Sequence, residues 1–283
     1  MKQHYVMGID NGGTVTKAAI YDRAGNVVAS ASKSTQMLTP KEFHTERDIN
    51  ELWAANVEVI TTALAQSGID ASQIKGVAVT GHGNGLYIVD ETGAPVRNGI
   101  ISTDSRAKGW VEKWYRDPTF VSDILPKTMQ SIWAGQPVAL LAWLKENEPE
   151  ALNNARYIFM VKDLIRFYLT GEAFLELTDI SGTNLINVRD RDYDASLLAW
   201  WGLGDLRDKL PPIKRSTDCC GYITDDVAQL TGLCAGTPVS GGVFDISASS
   251  VASGINTLDK LAIITGTWSI NEYVTDHPVI DRD

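Results

Sequence analysis

The sequence has few cysteines, and their spacing excludes a disulfide framework. Cys219 and Cys220 are adjacent, Cys234 stands alone, and no Cys-x-x-Cys pair occurs. The four histidines are scattered along the chain, so the pattern does not indicate a zinc site. These features predict reduced thiols in a cytoplasmic protein.

The sequence also lacks a long apolar segment. Asp10 interrupts the apolar residues near the start of the chain, which argues against a signal peptide there. Apolar runs such as residues 157–161 have the length of a strand and are too short to cross a bilayer. We therefore expect no membrane partner.

Positive charge is scarce relative to negative charge. The chain has 25 Lys and Arg residues against 35 Asp and Glu residues, a formal net charge of −10 at pH 7. This balance disfavours nucleic acid as a partner, because nucleic-acid binding depends largely on basic side chains. It does not argue against one phosphate compound bound in a local pocket.

The 283 residues, 44% of them hydrophobic, suit a globular protein with one large domain or about two ordinary ones. Apolar alternation predicts strands at residues 5–9, 16–21, 27–34, 74–80, 157–161 and 261–264. Periodicity predicts helices at residues 49–64, 138–146 and 163–169 and one beginning near Ile246, whereas residues 178–212 look irregular and polar. Asp48 is predicted to form a capping box with Glu51, and Gly68 to end that helix. The order indicates a layered α/β protein.

The first candidate site follows the first strand, at residues 10–17. A glycine turn there can bring backbone N–H groups close to phosphate oxygens, and Lys17 adds a positive charge. Asp10 can hold Mg²⁺ or its waters. The segment is neither a P-loop nor a Gly-x-Gly-x-x-Gly turn that opens a helix. A plain hairpin turn that starts with an aspartate is the alternative.

The second candidate site is the glycine loop, residues 81–85, which follows a buried-looking strand. Its glycines let the backbone approach a small polar molecule, and His82 and Asn84 can form hydrogen bonds with it. Asp104 follows another strand and can add a carboxylate to the same cleft. The alternatives are a flexible turn with a surface histidine and a surface ion pair between Asp104 and Arg106.

The third candidate site is Asp245, which follows a glycine pair and precedes a helix of small residues. An alcohol that attacks a phosphoryl group needs a carboxylate to accept its proton. Asp245 can instead cap the helix, and both interpretations can hold together. A further Gly/Thr turn at residues 265–267 can close on the other end of a polyphosphate.

Taken together, these segments resemble the FGGY family of carbohydrate kinases, within the actin-like ATPase superfamily. The segments that carry the resemblance are residues 8–22, 81–85, 162–163, 169–171, 178–181, 210–212, 231–233, 236–239, 241–245 and 266–269. The resemblance implies a ribonuclease-H-like α/β fold, with a mixed sheet flanked by helices and the beginning of a second similar domain. It also implies ATP-dependent phosphorylation of a small sugar. Residues 102–106 and 266–269 are most similar to members that act on a ketopentose such as L-xylulose.

The resemblance also implies a role for each site. Asp245 would be the catalytic base, and Asp10 would help to hold Mg²⁺. The residues implied to contact the ATP phosphates are Gly13, Thr14, Lys17, Gly266 and Thr267. Those implied to hold the sugar are His82, Gly83 and Asn84, with Asp104 in the same cleft. Many members have a larger side chain in place of Gly83, so the identity of the sugar stays open. Many have threonine in place of Gly13, so one hydroxyl contact to phosphate would be absent here.

The expected domains are a sugar-binding domain at residues 1–245 and the truncated start of an ATP-binding domain at residues 246–283. The strand at residues 261–264 would then have an unpaired edge, which favours aggregation or a homodimer. We expect this chain alone to bind sugar without efficient phosphorylation. A glycerol or tetritol kinase and a non-catalytic sugar-binding module are the alternatives, although a pure binder has no need of a base at Asp245.

Overall fold

The computed structural model describes residues 4–265 and 269–279. The strands are β1 (Tyr5–Asn11), β2 (Val15–Tyr21), β3 (Val27–Ser34), β4 (Glu46–Arg47), β5 (Ile74–Gly81), β6 (Tyr87–Val89), β7 (Gly99–Ile100), β8 (Tyr157–Phe159), β9 (Leu175–Glu176), β10 (Ile186–Asn187), β11 (Asp192–Tyr193), β12 (Ile213–Lys214), β13 (Cys219–Tyr222), β14 (Pro238–Ser240), β15 (Val243–Phe244), β16 (Leu261–Thr265) and β17 (Ser269–Tyr273).

The helices are α1 (Ile49–Ser67), α2 (Lys108–Tyr115), α3 (Leu125–Thr128), α4 (Pro137–Asn147), α5 (Pro149–Asn154), α6 (Val161–Thr170), α7 (Leu177–Ile180), α8 (Ala195–Trp200), α9 (Asp225–Thr231) and α10 (Asp245–Ala252). A π-helical turn occupies Phe120–Ile124, and short 3₁₀ helices occupy Ala71–Gln73, Ser181–Thr183 and Gly204–Lys209. No helix within the described ranges is both long and apolar enough to cross a bilayer.

A mixed sheet forms the centre of the fold and confirms the predicted α/β class. Its strand order is β13-β14-β5-β1-β2-β3, and β15 also pairs with β5. The first three strands form an antiparallel meander, whereas β5 runs parallel to β1, β14 and β15. Helix α1 packs across β2 and β3, and α6 packs against β5.

Alternation along β1 determines which side chains leave the core. Met7, Ile9 and Asn11 are buried, whereas Gly8 and Asp10 are only partly buried on the other face. Asn11 accepts a hydrogen bond of 2.8 Å from Asn56 of α1, so the buried face is the face that α1 covers. The period of two therefore directs Asp10 away from the core.

The ends of α1 confirm one prediction and correct another. The Asp48 carboxylate accepts hydrogen bonds from the backbone N–H groups of Asn50 and Glu51, and Gly68 ends the helix with φ of 65°. The reciprocal bond of the predicted capping box is absent from the described contacts of Glu51. Its carboxylate instead accepts from the N–H of Gln36 at 3.1 Å, because the chain preceding α1 passes close to it.

Two other predictions of local structure are wrong in part. Residues 178–212 contain α8 and short 3₁₀ helices, because Leu197, Leu198 and Trp201 turn into the core. The strand predicted to extend to residue 161 ends at Phe159, and α6 begins at Val161.

Within the described residues, the strand near the end of the chain has one strand partner, and its other edge stays unpaired as predicted. Strand β16 pairs with β17 as an antiparallel hairpin, from Leu261 opposite Tyr273 to Thr265 opposite Ser269. The hairpin still exposes Leu261, Ile263 and Tyr273. Gly266 and Thr267, the predicted second phosphate turn, lie outside the described residues.

Candidate active site

The sheet brings three of the predicted sites to one edge. Strands β1 and β15 both run parallel to β5, so the carboxyl ends of all three strands point the same way. Strand β1 ends in Asp10 and Asn11, β5 leads into the glycine loop, and β15 leads directly to Asp245.

Asp10 and Lys17 are cross-strand partners in the sheet register of β1 and β2. Their charged groups lie 3.9 Å apart, and both side chains are partly exposed on the open face. Burial raises the pKa of Asp10, and the positive charge of Lys17 only partly opposes that rise. The structure therefore places Lys17 beside a carboxylate whose cost of burial the lysine charge offsets only in part.

The turn between β1 and β2 is hydrogen-bonded to Arg47, a residue that the sequence analysis did not identify. Arg47 is fully buried and donates hydrogen bonds to the carbonyls of Gly12, at 3.1 Å, and Gly13. The Thr14 side chain is exposed. Among the described residues, nothing lies within 4 Å of the position that a Cβ would take at Gly13, so packing against them does not require glycine there.

The glycine loop is attached to β1 and is well ordered by hydrogen bonds. The backbone N–H of His82 donates to the carbonyl of Asn11 at 3.0 Å. The buried imidazole places Nε2 3.0 Å from the Tyr87 hydroxyl and Nδ1 3.4 Å from the Gly83 carbonyl. Desolvation, reinforced by the charge of Arg47, lowers the pKa of His82 to about 3, so the ring is neutral at physiological pH. The alternative of a flexible turn with a surface histidine is wrong.

Asn84 combines an unusual backbone conformation with a buried polar atom. Its backbone adopts the left-handed conformation, with φ of 60°. Its side-chain Oδ1 is buried and has no hydrogen-bond partner among the described residues. A buried amide oxygen without a partner is unfavourable, and a ligand hydroxyl would relieve it.

Asp104 is buried, so the alternative of a surface ion pair is wrong. Its Oδ2 accepts hydrogen bonds from the Thr45 N–H at 2.6 Å and from Arg106 at 2.9 Å. Arg106 also donates to Glu46 at 2.7 Å. The carboxylate therefore holds neighbouring chain segments together, and its contact with a sugar stays a prediction.

Asp245 opens α10 as its first residue, and the N-cap position belongs to Phe244 without any side-chain capping bond. The helix-capping alternative for Asp245 is therefore wrong. Its Oδ1 is buried and lacks a hydrogen-bond partner within the described chain. Desolvation raises the pKa of Asp245 to about 6; the Ile246 N–H opposes this rise, and the charges of Asp10 and Glu272 add to it. The charge of Asp10 thus acts on Asp245 across the sheet edge.

The glycine pair before Asp245 is required by close packing. A Cβ at Gly242 would lie 2.0 Å from the Val79 carbonyl oxygen, and φ at Gly242 is 79°. A Cβ at Gly241 would lie 2.3 Å from the Arg215 carbonyl oxygen. Neither position can accept a side chain without displacing backbone.

A buried ion cluster supports this segment, and it consists of Lys162, Asp163, Arg166, Glu176 and Asp179. The Lys162 ammonium lies 2.8 Å from Asp163, 3.3 Å from Glu176 and 3.6 Å from Asp179. Arg166 joins Asp163 to the Gly241 carbonyl with two bonds of 2.7 Å. Desolvation raises the pKa of Asp179 to about 8. Residues 162–163 and 178–181 thus contribute to an ion cluster that binds, through Arg166, the segment leading to Asp245.

A cavity of about 530 Å³ opens on the exposed face of the sheet, beside the first candidate site. Its lining includes Asp10, Lys17, Thr80, Val243 and Ala248. The cavity therefore connects the β1–β2 hairpin with the beginning of α10.

The mixed sheet, with its polar strand ends at one edge, defines an α/β domain of the actin-like ATPase class. Residues 5–252 match the N-terminal domain of the FGGY family of carbohydrate kinases, and the chain belongs to that family.

Curated relatives agree with this membership. The chain is 37% identical over 274 residues to a probable L-xylulose kinase of Pasteurella multocida (strain Pm70), covering 97% of this chain and 56% of the relative. It is 38% identical over 271 residues to the L-xylulose/3-keto-L-gulonate kinase of Escherichia coli (strain K12), covering 96% and 54%. The chain thus spans about half the length of these relatives.

A solved structure of ligand-bound xylulose kinase from Lactobacillus acidophilus superposes with a TM-score of 0.91 and 25% sequence identity. The superposition covers 99% of this chain and 56% of that chain. The fold predicted from the resemblance is confirmed.

Proposed function

We propose that this chain contributes the sugar-binding half of an ATP-dependent kinase for a ketopentose such as L-xylulose. One observation carries the proposal. The buried Oδ1 of Asp245 has no hydrogen-bond partner among the described residues, and the charge of Asp10 acts on this carboxylate at the edge where the glycine loop begins. The names of the relatives at 37% and 38% identity support the choice of sugar.

In the proposed reaction, Asp245 is the catalytic base. A sugar hydroxyl oxygen forms a bond to the γ-phosphorus of ATP while the bond from that phosphorus to the β–γ bridging oxygen breaks. The hydroxyl proton passes to the Asp245 carboxylate, and ADP leaves. A carboxyl group with a pKa of about 6 is mostly ionised at pH 7 and is a stronger base than an ordinary aspartate.

The phosphates would lie beside the turn between β1 and β2, where Gly13, Thr14 and Lys17 would contact them. Gly266 and Thr267 would approach from the other side. Mg²⁺ commonly uses one or two carboxylates and keeps several waters, and the partly exposed carboxylate of Asp10 fits that preference. When bound, the ion would neutralise charge on the phosphates. Within the described residues, no group of three or more His, Cys, Asp and Glu side chains could hold a metal alone.

The sugar would lie against the glycine loop. Asn84 would accept a hydrogen bond from a sugar hydroxyl through its unpartnered Oδ1. Gly83 would contribute to the sugar site by leaving room for the ring of Phe244, which lies against it. Neutral His82 would keep the loop in place through Tyr87. Asp104 would support the same cleft through Thr45 and Arg106.

We also propose the division into a sugar domain at residues 1–245 and the start of an ATP-binding domain at residues 246–283. The exposed apolar side chains of the β16–β17 hairpin support this division, because a further layer or a second copy would cover them. The three free cysteines support a cytoplasmic location.

The test is an ADP-release assay over ketopentoses, ketohexoses and polyols on a version of the protein that also carries a second domain. We expect turnover with ketopentoses, and Asp245→Asn should lower it by about 10²- to 10⁴-fold while sugar binding persists. Turnover near normal in this variant would exclude Asp245 as the base. A preference for glycerol over ketopentoses would overturn the proposed substrate.

A further inference from the structure

The glycine loop and the segment that carries Asp245 are in direct contact through one aromatic ring. A Cβ built on Gly83 would lie 2.2 Å from Cε2 of Phe244, 2.5 Å from Cζ and 2.7 Å from Cδ2. Gly83 has no positive φ, so its backbone conformation does not itself demand glycine. The ring of Phe244 therefore occupies the space that a side chain at residue 83 would need.

The backbone of Phe244 is fixed, so the ring cannot withdraw by a shift of the strand. Its N–H donates to the Thr178 hydroxyl at 2.9 Å, and that hydroxyl donates to Glu176 at 2.6 Å. On the other side, the Thr80 hydroxyl donates to the Val243 carbonyl at 2.7 Å. Glu176 belongs to the buried ion cluster, where Lys162 lies 3.3 Å from it.

The ring of Phe244 lies between two candidate groups, because its neighbour in the chain is Asp245 and its neighbour in space is Gly83. Phe244 immediately precedes Asp245, and Gly83 immediately precedes Asn84, whose Oδ1 has no hydrogen-bond partner in the described parts of the chain. The ring thus lies at the junction between the proposed base and the proposed sugar loop, and it is only partly buried.

We propose that Phe244 is a specificity-determining residue, whose ring on Gly83 forms the wall of the sugar site between Asn84 and Asp245 and limits the length of the sugar. This proposal rests on the proposed function, because it assumes that the sugar binds between these two residues. An apolar wall discriminates between ligands that differ by one carbon by about 10- to 200-fold. The two hydrogen bonds fix the peptide unit from which the ring projects, and Gly83 packs against the ring itself.

The experiment is titration calorimetry of the 283-residue chain with L-xylulose and with the ketohexose D-sorbose, which matches it at the shared stereocentres. Phe244→Ala should raise the ratio of D-sorbose affinity to L-xylulose affinity at least about tenfold, because it opens the wall. Phe244→Leu, which retains more apolar volume, should raise the ratio less. Phe43→Ala removes the same ring at an exposed position and should leave the ratio unchanged.

A double-mutant cycle tests the contact itself. Gly83→Ala should weaken L-xylulose binding about tenfold or more, because the new methyl group displaces the ring. When Phe244→Ala is also present, the methyl group has room, so the double variant should bind about as well as Phe244→Ala alone. A general loss of folding cannot produce this rescue, and circular dichroism of each variant verifies its fold.

The outcomes separate the two proposals. Binding of L-xylulose with an unchanged affinity ratio in both Phe244 variants, or additive losses in the cycle, would overturn the role of Phe244 alone. Failure of the unmodified chain to bind any ketose would overturn the proposed sugar site and this inference with it.

Discussion

Replacing Asp245 with asparagine should stabilise the protein at neutral pH, because the structure keeps this carboxylate in an unfavourable environment. The folded state raises its pKa from 3.8 to about 6, mainly by desolvation. For a carboxylate fully removed from water, that rise corresponds to about 3 kcal/mol. Because the Asp245 side chain stays partly open to the cleft, solvent screening reduces the effect to about 1–2 kcal/mol.

The pH dependence has a definite sign. Between about pH 3.8 and pH 6, the folded state binds more protons at Asp245 than the unfolded state does. The contribution of this group to the free energy of unfolding therefore falls as the pH rises through that window, and the loss is complete above it. Asparagine does not titrate, so Asp245→Asn should gain about 1–2 kcal/mol at pH 8 and only a small fraction of that at pH 4.

Urea denaturation of both proteins at pH 8 and pH 4 measures this difference. Asp22→Asn is the matched control, because hydrogen bonds led by Asn26 lower the pKa of that exposed carboxylate, so its loss should bring no gain at pH 8. Asp10→Asn removes a like charge and should lower the pKa of Asp245 in an NMR titration. An equal gain in the free energy of unfolding at both pH values, or no gain at pH 8, would refute the conclusion that desolvation destabilises the Asp245 carboxylate.

Three further predictions concern the sugar loop, the buried ion cluster and the chain as a whole. Asn84→Ala should weaken L-xylulose binding by about 1–3 kcal/mol, measured by calorimetry, because the ligand loses a buried acceptor; unchanged affinity would exclude the loop as the sugar site. Lys162→Met leaves Asp163, Glu176 and Asp179 without their shared ammonium and should destabilise the fold by about 3–5 kcal/mol in urea at pH 8. That loss should shrink at lower pH as Asp179, whose pKa burial raises to about 8, becomes protonated, and a loss independent of pH would contradict the electrostatic cause. The 283-residue chain with MgATP and ketopentoses should bind sugar and release little ADP, because domain closure completes such sites; robust sugar-dependent ADP release would contradict this expectation.

Local patterns along the chain were sufficient to predict the order of the main elements. Alternation predicted the opening strands, and the limits of α1 followed from Asp48 and Gly68, because caps depend on bonds between near neighbours. The glycine loop and Asp245 were also visible as polar residues that follow strands. The same local reasoning failed at residues 178–212, where α8 contains Leu197 and is followed by Trp201, and both side chains pack into the core.

The sequence alone thus determined the fold class and the positions of the candidate groups along the chain. Tertiary structure decided which of them meet, because parallel pairing of β5 with β1 and β15 brings residues from both ends of the chain to one edge. It also decided environment: burial makes His82 neutral and leaves Asp245 poorly solvated. No local pattern marks Arg47 beneath the first turn, or the ring of Phe244 against Gly83. Desolvation and steric contact depend on what the rest of the chain places around a residue, and neighbours in sequence do not specify that.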